Sequence, residues 1–307
     1  MRLLLYRLDG NTTPWVRDFN ALLPALEVVV WDGQAIACDY ALVWGPPAGL
    51  LAQLADVKAI FVAGAGVDAL LKFGDALPSV PLVRLGDAGM GVQMAEYVLH
   101  AVLRYFRRFD DYESQARDGV WAPLALAPKE EFTVGVMGVG ALGTRVLDAL
   151  GHFGFPLRGW SRSRKHIDGV DCYAGAAELN DFLAGTRVLV CMLPLTPETT
   201  HLLDRGTLEK LPHGAYLINV ARGALIAEPD LLALIRSGHI AGATLDVFRN
   251  EPLPSPHPFW GEPKIAITPH ISALTVRADS VRQIVHKIEA LERGETVADV
   301  VDRTRGY

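Results

Sequence analysis

Thr133-Val134-Gly135-Val136-Met137-Gly138-Val139-Gly140-Ala141-Leu142-Gly143 decides how this chain is read. Apolar Val134 and Val136 precede a run of glycines, and Leu142, Val146, Leu147 and Leu150 follow at helical spacing. The stretch predicts a buried strand, a glycine turn and a helix. Gly138, Gly140 and Gly143 hold the G-x-G-x-x-G spacing. Gly138 permits a tight turn out of the strand. Gly140, lacking a Cβ, lets the main chain approach a pyrophosphate. Gly143 lets the new helix pack against the strand. The helix opens at Ala141 and Leu142, where unpaired N–H groups and the positive end of the dipole can receive phosphate. A glycine triplet alone is a weak signal. The strand before it and the helix after it make the stretch a dinucleotide site.

Outward from that turn, short apolar runs alternate with helical patterns along all 307 residues. Residues 2–6, 27–31, 40–44, 58–63 and 81–84 read as strands of a first α/β unit, with parallel pairing expected from the crossover lengths. Residues 91–118 read as one long helix, charged in its second half. A second unit follows, with strands expected at 132–137, 156–161, 187–193, 215–220, 241–247 and 265–268. A helix over roughly 275–293 and a polar tail close the chain. A Rossmann-type sheet binding its ligands at the C-terminal strand ends is the natural reading.

The bulk properties exclude other classes. The net charge is −6, and the Lys and Arg residues are scattered, which argues against a nucleic-acid surface. Cys38, Cys172 and Cys191 form no CxxC pair, so neither a disulfide framework nor a zinc site is expected, and no metal is called for. The first thirty residues show no secretory signal, and no apolar run reaches membrane-spanning length. A cytoplasmic protein with no membrane partner is expected by default.

The position that selects the cofactor lies about 20 residues beyond the glycines, where the second strand normally ends in an acid that bonds the adenosine ribose. Here Leu157-Arg158-Gly159-Trp160 leads instead into Ser161-Arg162-Ser163-Arg164-Lys165. A carboxylate would repel a 2′-phosphate, whereas an arginine fork binds one. NADP(H) is therefore expected in preference to NAD(H), which stays possible. Arg162 is the first choice for the phosphate, supported by Ser161, Ser163 and Arg164.

Three later segments place titratable residues just past apolar runs. They are Asn219-Val220-Ala221-Arg222-Gly223, then Leu245-Asp246-Val247-Phe248 with Glu251-Pro252, then Thr268-Pro269-His270. With Ala63-Gly64-Ala65-Gly66-Val67-Asp68 and Leu193-Pro194-Leu195-Thr196-Pro197-Glu198-Thr199, they closely resemble the motifs of the D-2-hydroxyacid dehydrogenase family, in order, over essentially the whole chain. Within the family, Trp160-Ser161-Arg162-Ser163-Arg164 and the closing Val301-Asp302-Arg303-Thr304-Arg305-Gly306-Tyr307 look most like the glyoxylate/hydroxypyruvate reductase branch.

The resemblance implies an α/β fold of two Rossmann-like domains. One is a doubly wound NADP-binding domain over 96–274; the other is a flavodoxin-like substrate domain over 1–95 plus 275–307. It implies reduction of a small 2-keto acid, with Arg222 holding the carboxylate and polarising the ketone, His270 giving the proton, and Glu251 orienting His270. These roles suit the residue types: a guanidinium fork matches a carboxylate, and imidazole titrates in the physiological range. The N–H groups of Ala65, Gly66 and Val67 would bind the substrate carboxylate. Asp246 would lie near the nicotinamide, and Leu193, Pro194, Thr199, Val220 and Ala221 would line the cofactor.

Trp44 is a candidate wall of the substrate pocket. Trp121 resembles a loop residue that reaches the partner's site, which implies a homodimer. Asp68 is expected to cap the helix after its loop. His100, His201 and His257 carry no partner pattern, and Met90-Gly91 and the region near Ser272 are hinge candidates. The alternatives are an oxidoreductase for another small 2-keto or 2-hydroxy acid, and a nucleotide-sensing corepressor on the same fold.

Overall fold

The apolar runs become twelve strands, every one paired in parallel. The computed structural model describes residues 1–307, which divide into two units, Met1–Met90 with Thr275–Tyr307, and Gly91–Leu274.

In the first unit, β1 (Arg2–Arg7), β2 (Glu27–Val30), β3 (Tyr40–Trp44), β4 (Ala59–Val62) and β5 (Leu82–Arg84) form a sheet of order β2-β1-β3-β4-β5. That is the flavodoxin-like order. The chain returns to this unit through the helix Arg277–Glu292, which buries Val281, Ile284 and Ile288, and through Val301, whose N–H donates to the carbonyl of Leu82 at 2.8 Å.

The second unit holds β6 (Val134–Met137), β7 (Leu157–Ser161), β8 (Val170–Ala174), β9 (Val188–Cys191), β10 (Ala215–Asn219), β11 (Ile240–Leu245) and β12 (Ile265–Ile267), in the order β12-β11-β10-β9-β6-β7-β8. This is the doubly wound order extended by one strand, and the winding reverses between β6 and β9. Burial explains the continuous apolar runs. Val134, Val136, Val188, Val190 and Ile218 pack into one core, while Met137, Leu189, Cys191 and Leu217 pack into another. Alternate residues of one strand therefore serve opposite faces, and both faces are covered.

Three expectations need correction. The expected helix over 91–118 is two helices, Met90–Phe106 and Phe109–Arg117, broken at Arg108, which has φ of 57°. The break lets Arg104 pair with Glu113, nine residues on. In an unbroken helix those residues would stand about 13 Å apart along the axis. The expected boundary at 95/96 falls instead at Met90/Gly91. Residue 95 lies inside an unbroken helix, and Met94, Val98 and Val102 of that helix pack with Val134 and Val136 of the second unit. Strand β8 was not anticipated. It lies at the sheet edge and carries Asp171 among half-buried residues, so it gives no apolar run.

The glycine turn has the geometry its spacing predicts. Gly138 has φ of 105°, and a Cβ there would stand 2.5 Å from the carbonyl oxygen of Met192. A Cβ on Gly143 would stand 2.1 Å from the carbonyl oxygen of Gly138, whereas one on Gly140 would meet nothing within 4 Å. Gly143→Ala should therefore lower the melting temperature by several degrees, from overpacking of about 1–3 kcal/mol. Gly140→Ala should leave the melting temperature unchanged while weakening dinucleotide binding. Differential scanning calorimetry together with a binding titration separates the two effects, and equal melting temperatures would refute the assignment.

Candidate active site

Three neighbouring strands, β10, β11 and β12, end in the segments that carry the titratable residues. At the end of β10, Asn219 is fully buried. Its side-chain oxygen accepts from the N–H of Ala221 at 3.1 Å, and its amide nitrogen donates to the carbonyl of Arg222 at 3.0 Å. This side chain folds the exit of the strand and leaves Arg222 half-buried. The Arg222 guanidinium donates to the carbonyl of Ala221 at 2.6 Å. Gly223 follows because a Cβ there would fall 1.9 Å from the backbone of Phe248.

Beyond β11, Asp246 has no exposed surface. Its carboxylate accepts from Thr268 Oγ1 at 2.6 Å, from the N–H of Ile271 at 2.8 Å and from the N–H of Ser272 at 2.8 Å. Its carbonyl accepts the N–H of His270 at 2.8 Å. One residue thus fixes the whole turn after β12. That turn places His270 at φ of 55°, a left-handed conformation that costs a non-glycine residue about 1–3 kcal/mol and persists where its surroundings over-determine it. Burial, first, and the charge of Asp246 behind it push the Tyr97 phenol up to about 12, so the hydroxyl 2.5 Å from Thr268 Oγ1 stays protonated.

Glu251 completes the set. One carboxylate oxygen accepts from the N–H of Phe248 at 2.9 Å, and the other stands 2.7 Å from His270 Nδ1. With Nδ1–H committed to Glu251, His270 presents Nε2 as its exchangeable position. The ring stays accessible, its side chain 46% exposed. Arg222, Glu251 and His270 therefore lie past adjacent strands of one sheet, and the Glu251–His270 pair is formed.

At the switch point, Gly138 follows β6 and Leu193 follows β9. Gly140 stands at the N-terminus of the helix Ala141–His152. Ala141 is exposed and Leu142 half-buried there, while Leu193, Val220 and Ala221 are buried and Pro194 is half-buried. The space in front of Gly140 and the cations of the 161–165 turn suit a phosphorylated dinucleotide.

The side chains of that turn divide their work. Ser161 Oγ donates to the carbonyl of Ser163 at 2.7 Å. Arg164 donates to the carbonyl of Cys172 at 2.8 Å and pairs with Glu178, which also accepts the N–H of Ala174. Arg164 is thus engaged as a brace between the turn and β8. Arg162 and Ser163 are exposed. The Glu198 carboxyl is held below its usual range, first by the Thr196 side chain and to a smaller degree by the Arg162 guanidinium. The Thr199 hydroxyl donates to the carbonyl of Pro194 at 2.8 Å and accepts from the N–H of Thr196 at 2.8 Å, so it closes its own loop.

In the first unit, Trp44 ends β3, and its ring lies against Gly64, where a Cβ would come within 2.7 Å. Ala65 and Gly66 are half-buried, and Val67 is buried. Asp68 is the first residue of a short helix whose N-cap position is Val67, so Asp68 does not occupy the capping position expected of it. A further correction concerns the second unit. His257 faces Glu228 at 3.4 Å and is not partnerless. Ser272 itself is buried and bonded to Asp246, and the chain passes between the units at Met90/Gly91 and at Leu274/Thr275, the first a hinge candidate and the second two residues beyond Ser272. Trp121 is 98% exposed. No group of three metal-ligating side chains is present, and no helix is long and apolar enough to cross a membrane.

Residues 99–272 match the NAD binding domain of the D-isomer specific 2-hydroxyacid dehydrogenases. The chain belongs to that family. Glyoxylate/hydroxypyruvate reductase A of Salmonella enteritidis is 47% identical to it over 313 residues, covering all of both chains. Among solved structures, a D-isomer specific 2-hydroxyacid dehydrogenase from Xanthobacter autotrophicus, in complex with NADPH and MES, superposes with a TM-score of 0.96 at 42% identity, over 100% of this chain and 99% of the other. An NADPH-dependent glyoxylate/hydroxypyruvate reductase from Sinorhizobium meliloti, in complex with NADP and sulfate, superposes with a TM-score of 0.93 at 34% identity, over the same shares. The family is one of oxidoreductases, as the motifs implied, and the two-domain α/β fold is the one expected.

Sequence reasoning gave no role to Asn219, Thr268 or Tyr97. Asn219 and Thr268 were visible as polar residues ending apolar strands. Tyr97 carried no signal, because only folding brings it to residue 268. Asp246→Asn should cost about 1–3 kcal/mol in urea unfolding, because one amide N–H would face a backbone donor. Unchanged stability would mean the carboxylate does not hold the turn.

Proposed function

We propose that the protein is an NADPH-dependent reductase that converts glyoxylate to glycolate and hydroxypyruvate to glycerate. The observation that carries this reading is the Glu251–His270 pair, 2.7 Å apart past the ends of a doubly wound sheet. The Salmonella and Sinorhizobium relatives bear those substrates in their names, and the Ser161–Arg164 turn puts cations where NAD-dependent relatives carry an acid.

The chemistry follows from the residue types. A 2-keto acid has a carboxylate beside a ketone. Arg222 binds the carboxylate and draws charge toward the ketone oxygen. Ala65, Gly66 and Val67 offer backbone N–H groups to the same carboxylate, and Trp44 shapes the apolar side. NADPH, when bound, supplies the hydride that reduces the carbonyl carbon. His270 holds a proton at Nε2 and releases it to the oxygen as negative charge builds there, leaving the 2-hydroxy acid. Glu251 keeps the imidazole oriented through Nδ1. Gly138, Gly140, Gly143 and the first turn Ala141-Leu142 receive the pyrophosphate. Ser161, Arg162 and Ser163 take the 2′-phosphate, with Arg164 bracing their turn. Leu193, Pro194, Thr199, Val220 and Ala221 shape the remaining walls, and Asp246 holds the turn that carries His270. NAD(H) is the weaker alternative cofactor. The enzyme is read as a cytoplasmic homodimer without metal, in which Trp121 reaches its partner. The exposure of Trp121, Val120 and Leu126 in one segment supports that assembly.

His270→Ala should lower turnover by about 10²–10⁴-fold while NADPH binding stays near normal, measured by steady-state kinetics and fluorescence titration. Wild-type turnover at neutral pH would remove His270 from the mechanism. Ser161→Asp combined with Arg162→Ala should shift the ratio of kcat/KM for NADPH over NADH by at least about tenfold, from lost hydrogen bonds to a charged group. The ratio is measured at fixed glyoxylate and fixed salt, because exposed charges are screened. A wild-type ratio in the double variant would reduce the basic turn to a solvated loop.

A further inference from the structure

The helix Met90–Phe106 carries Gln93 and Tyr97 at i and i+4, hence on one face. Gln93 Nε2 donates to the carbonyl of Leu274 at 2.8 Å, and its Oε1 accepts the N–H of Leu274 at 3.1 Å. The Tyr97 hydroxyl stands 2.5 Å from Thr268 Oγ1. Thr268 has a single hydroxyl hydrogen, and it goes to the Asp246 carboxylate. Tyr97 is therefore the donor to Thr268, and the chain of bonds has one direction, from Tyr97 through Thr268 to Asp246. The two grips bracket the seven residues 268–274, within which His270 sits in its left-handed conformation.

We propose that Tyr97, with Gln93 one turn before it, is a positioning residue for proton transfer: the helix face holds the His270 turn through Thr268 and Asp246, so that the imidazole stays aimed at the substrate oxygen. The inference rests on the reading of His270 as the proton donor. The His270 ring has one side-chain partner, Glu251, and its exposed face gives it little packing. Its aim therefore depends on the backbone of the turn. Without the Tyr97 hydroxyl, Thr268 loses the donor that fixes its rotamer and can turn away from Asp246. The Tyr97 ring packs against the core that contains Val98, Val134 and Val136, so removing the oxygen alone leaves the fold intact.

The test uses the full-length protein, with the hydride-transfer rate on glyoxylate read in single turnovers, so that product release does not mask the step. Tyr97→Phe should slow that step about threefold to tenfold, with the glyoxylate KM, the NADPH Kd and the melting temperature close to wild type. Thr268→Val, which keeps the shape and removes the hydroxyl, should slow it further, and Thr268→Ser should recover most of the loss. The double variant Tyr97→Phe with Thr268→Val should be no slower than Thr268→Val alone, because both act through one chain. A wild-type rate in Tyr97→Phe, multiplying losses in the double variant, or a loss confined to KM, Kd or melting temperature would overturn the proposal. His270→Ala serves as the reference: if it reacts at the wild-type rate, the reading of the site fails. If it is inactive while Tyr97→Phe is not slowed, only the present inference fails.

Discussion

The Asp246 carboxylate is the interaction on which the catalytic end of the second unit depends. It is wholly buried and accepts three hydrogen bonds from Thr268, Ile271 and Ser272, while its own carbonyl takes the N–H of His270. A buried carboxylate is costly unless its oxygens are satisfied, and here the donors that satisfy it all come from one turn. The same contacts that make the burial tolerable impose the left-handed conformation on His270. Catalytic geometry and stability are therefore coupled at this point: a change that relaxes the turn exposes an unsatisfied carboxylate.

A second constraint is steric. The helix Ala141–His152 can begin where it does only because Gly143 brings no Cβ against the carbonyl of Gly138, and β6 can run beside β9 only because Gly138 brings none against Met192. Parallel strands covered on both faces leave their C-terminal ends as the open side of the sheet. The glycine turn at β6, the Arg222 turn at β10, the Asp246 hub at β11 and the His270 turn at β12 all lie past such ends. Their strands are held in register by main-chain ladders, so each loop starts from a fixed point.

Much of this was legible in the residues. Apolar runs located eleven of the twelve strands, and the order of motifs gave the family and the candidate set Arg222, Glu251 and His270. The exceptions have physical causes. Strand β8 is an edge and lacks an apolar run. The break at Arg108 is a local left-handed backbone turn that helical periodicity does not register, and it lets Arg104 pair with Glu113. Arg164, expected to support Arg162 at the phosphate, also pairs with Glu178 fourteen residues away, a contact that composition does not reveal.

The sequence by itself determined the fold class, the glycine turn between β6 and its helix, the cationic run at the end of β7 and the identity of the candidate acid–base pair. These depend on local spacing: a period of two for strands, glycines where a Cβ cannot fit, and titratable residues just past apolar runs. Only the tertiary structure decided which side chains are free to meet a ligand and which are engaged in building the site. Asp246, Thr199 and Arg164 are engaged by hydrogen bonds to backbone or to a distant partner, and Tyr97 reaches Thr268 across 171 residues of chain. Hydrogen bonds of that separation depend on the packing of a helix against a sheet, which no local pattern encodes.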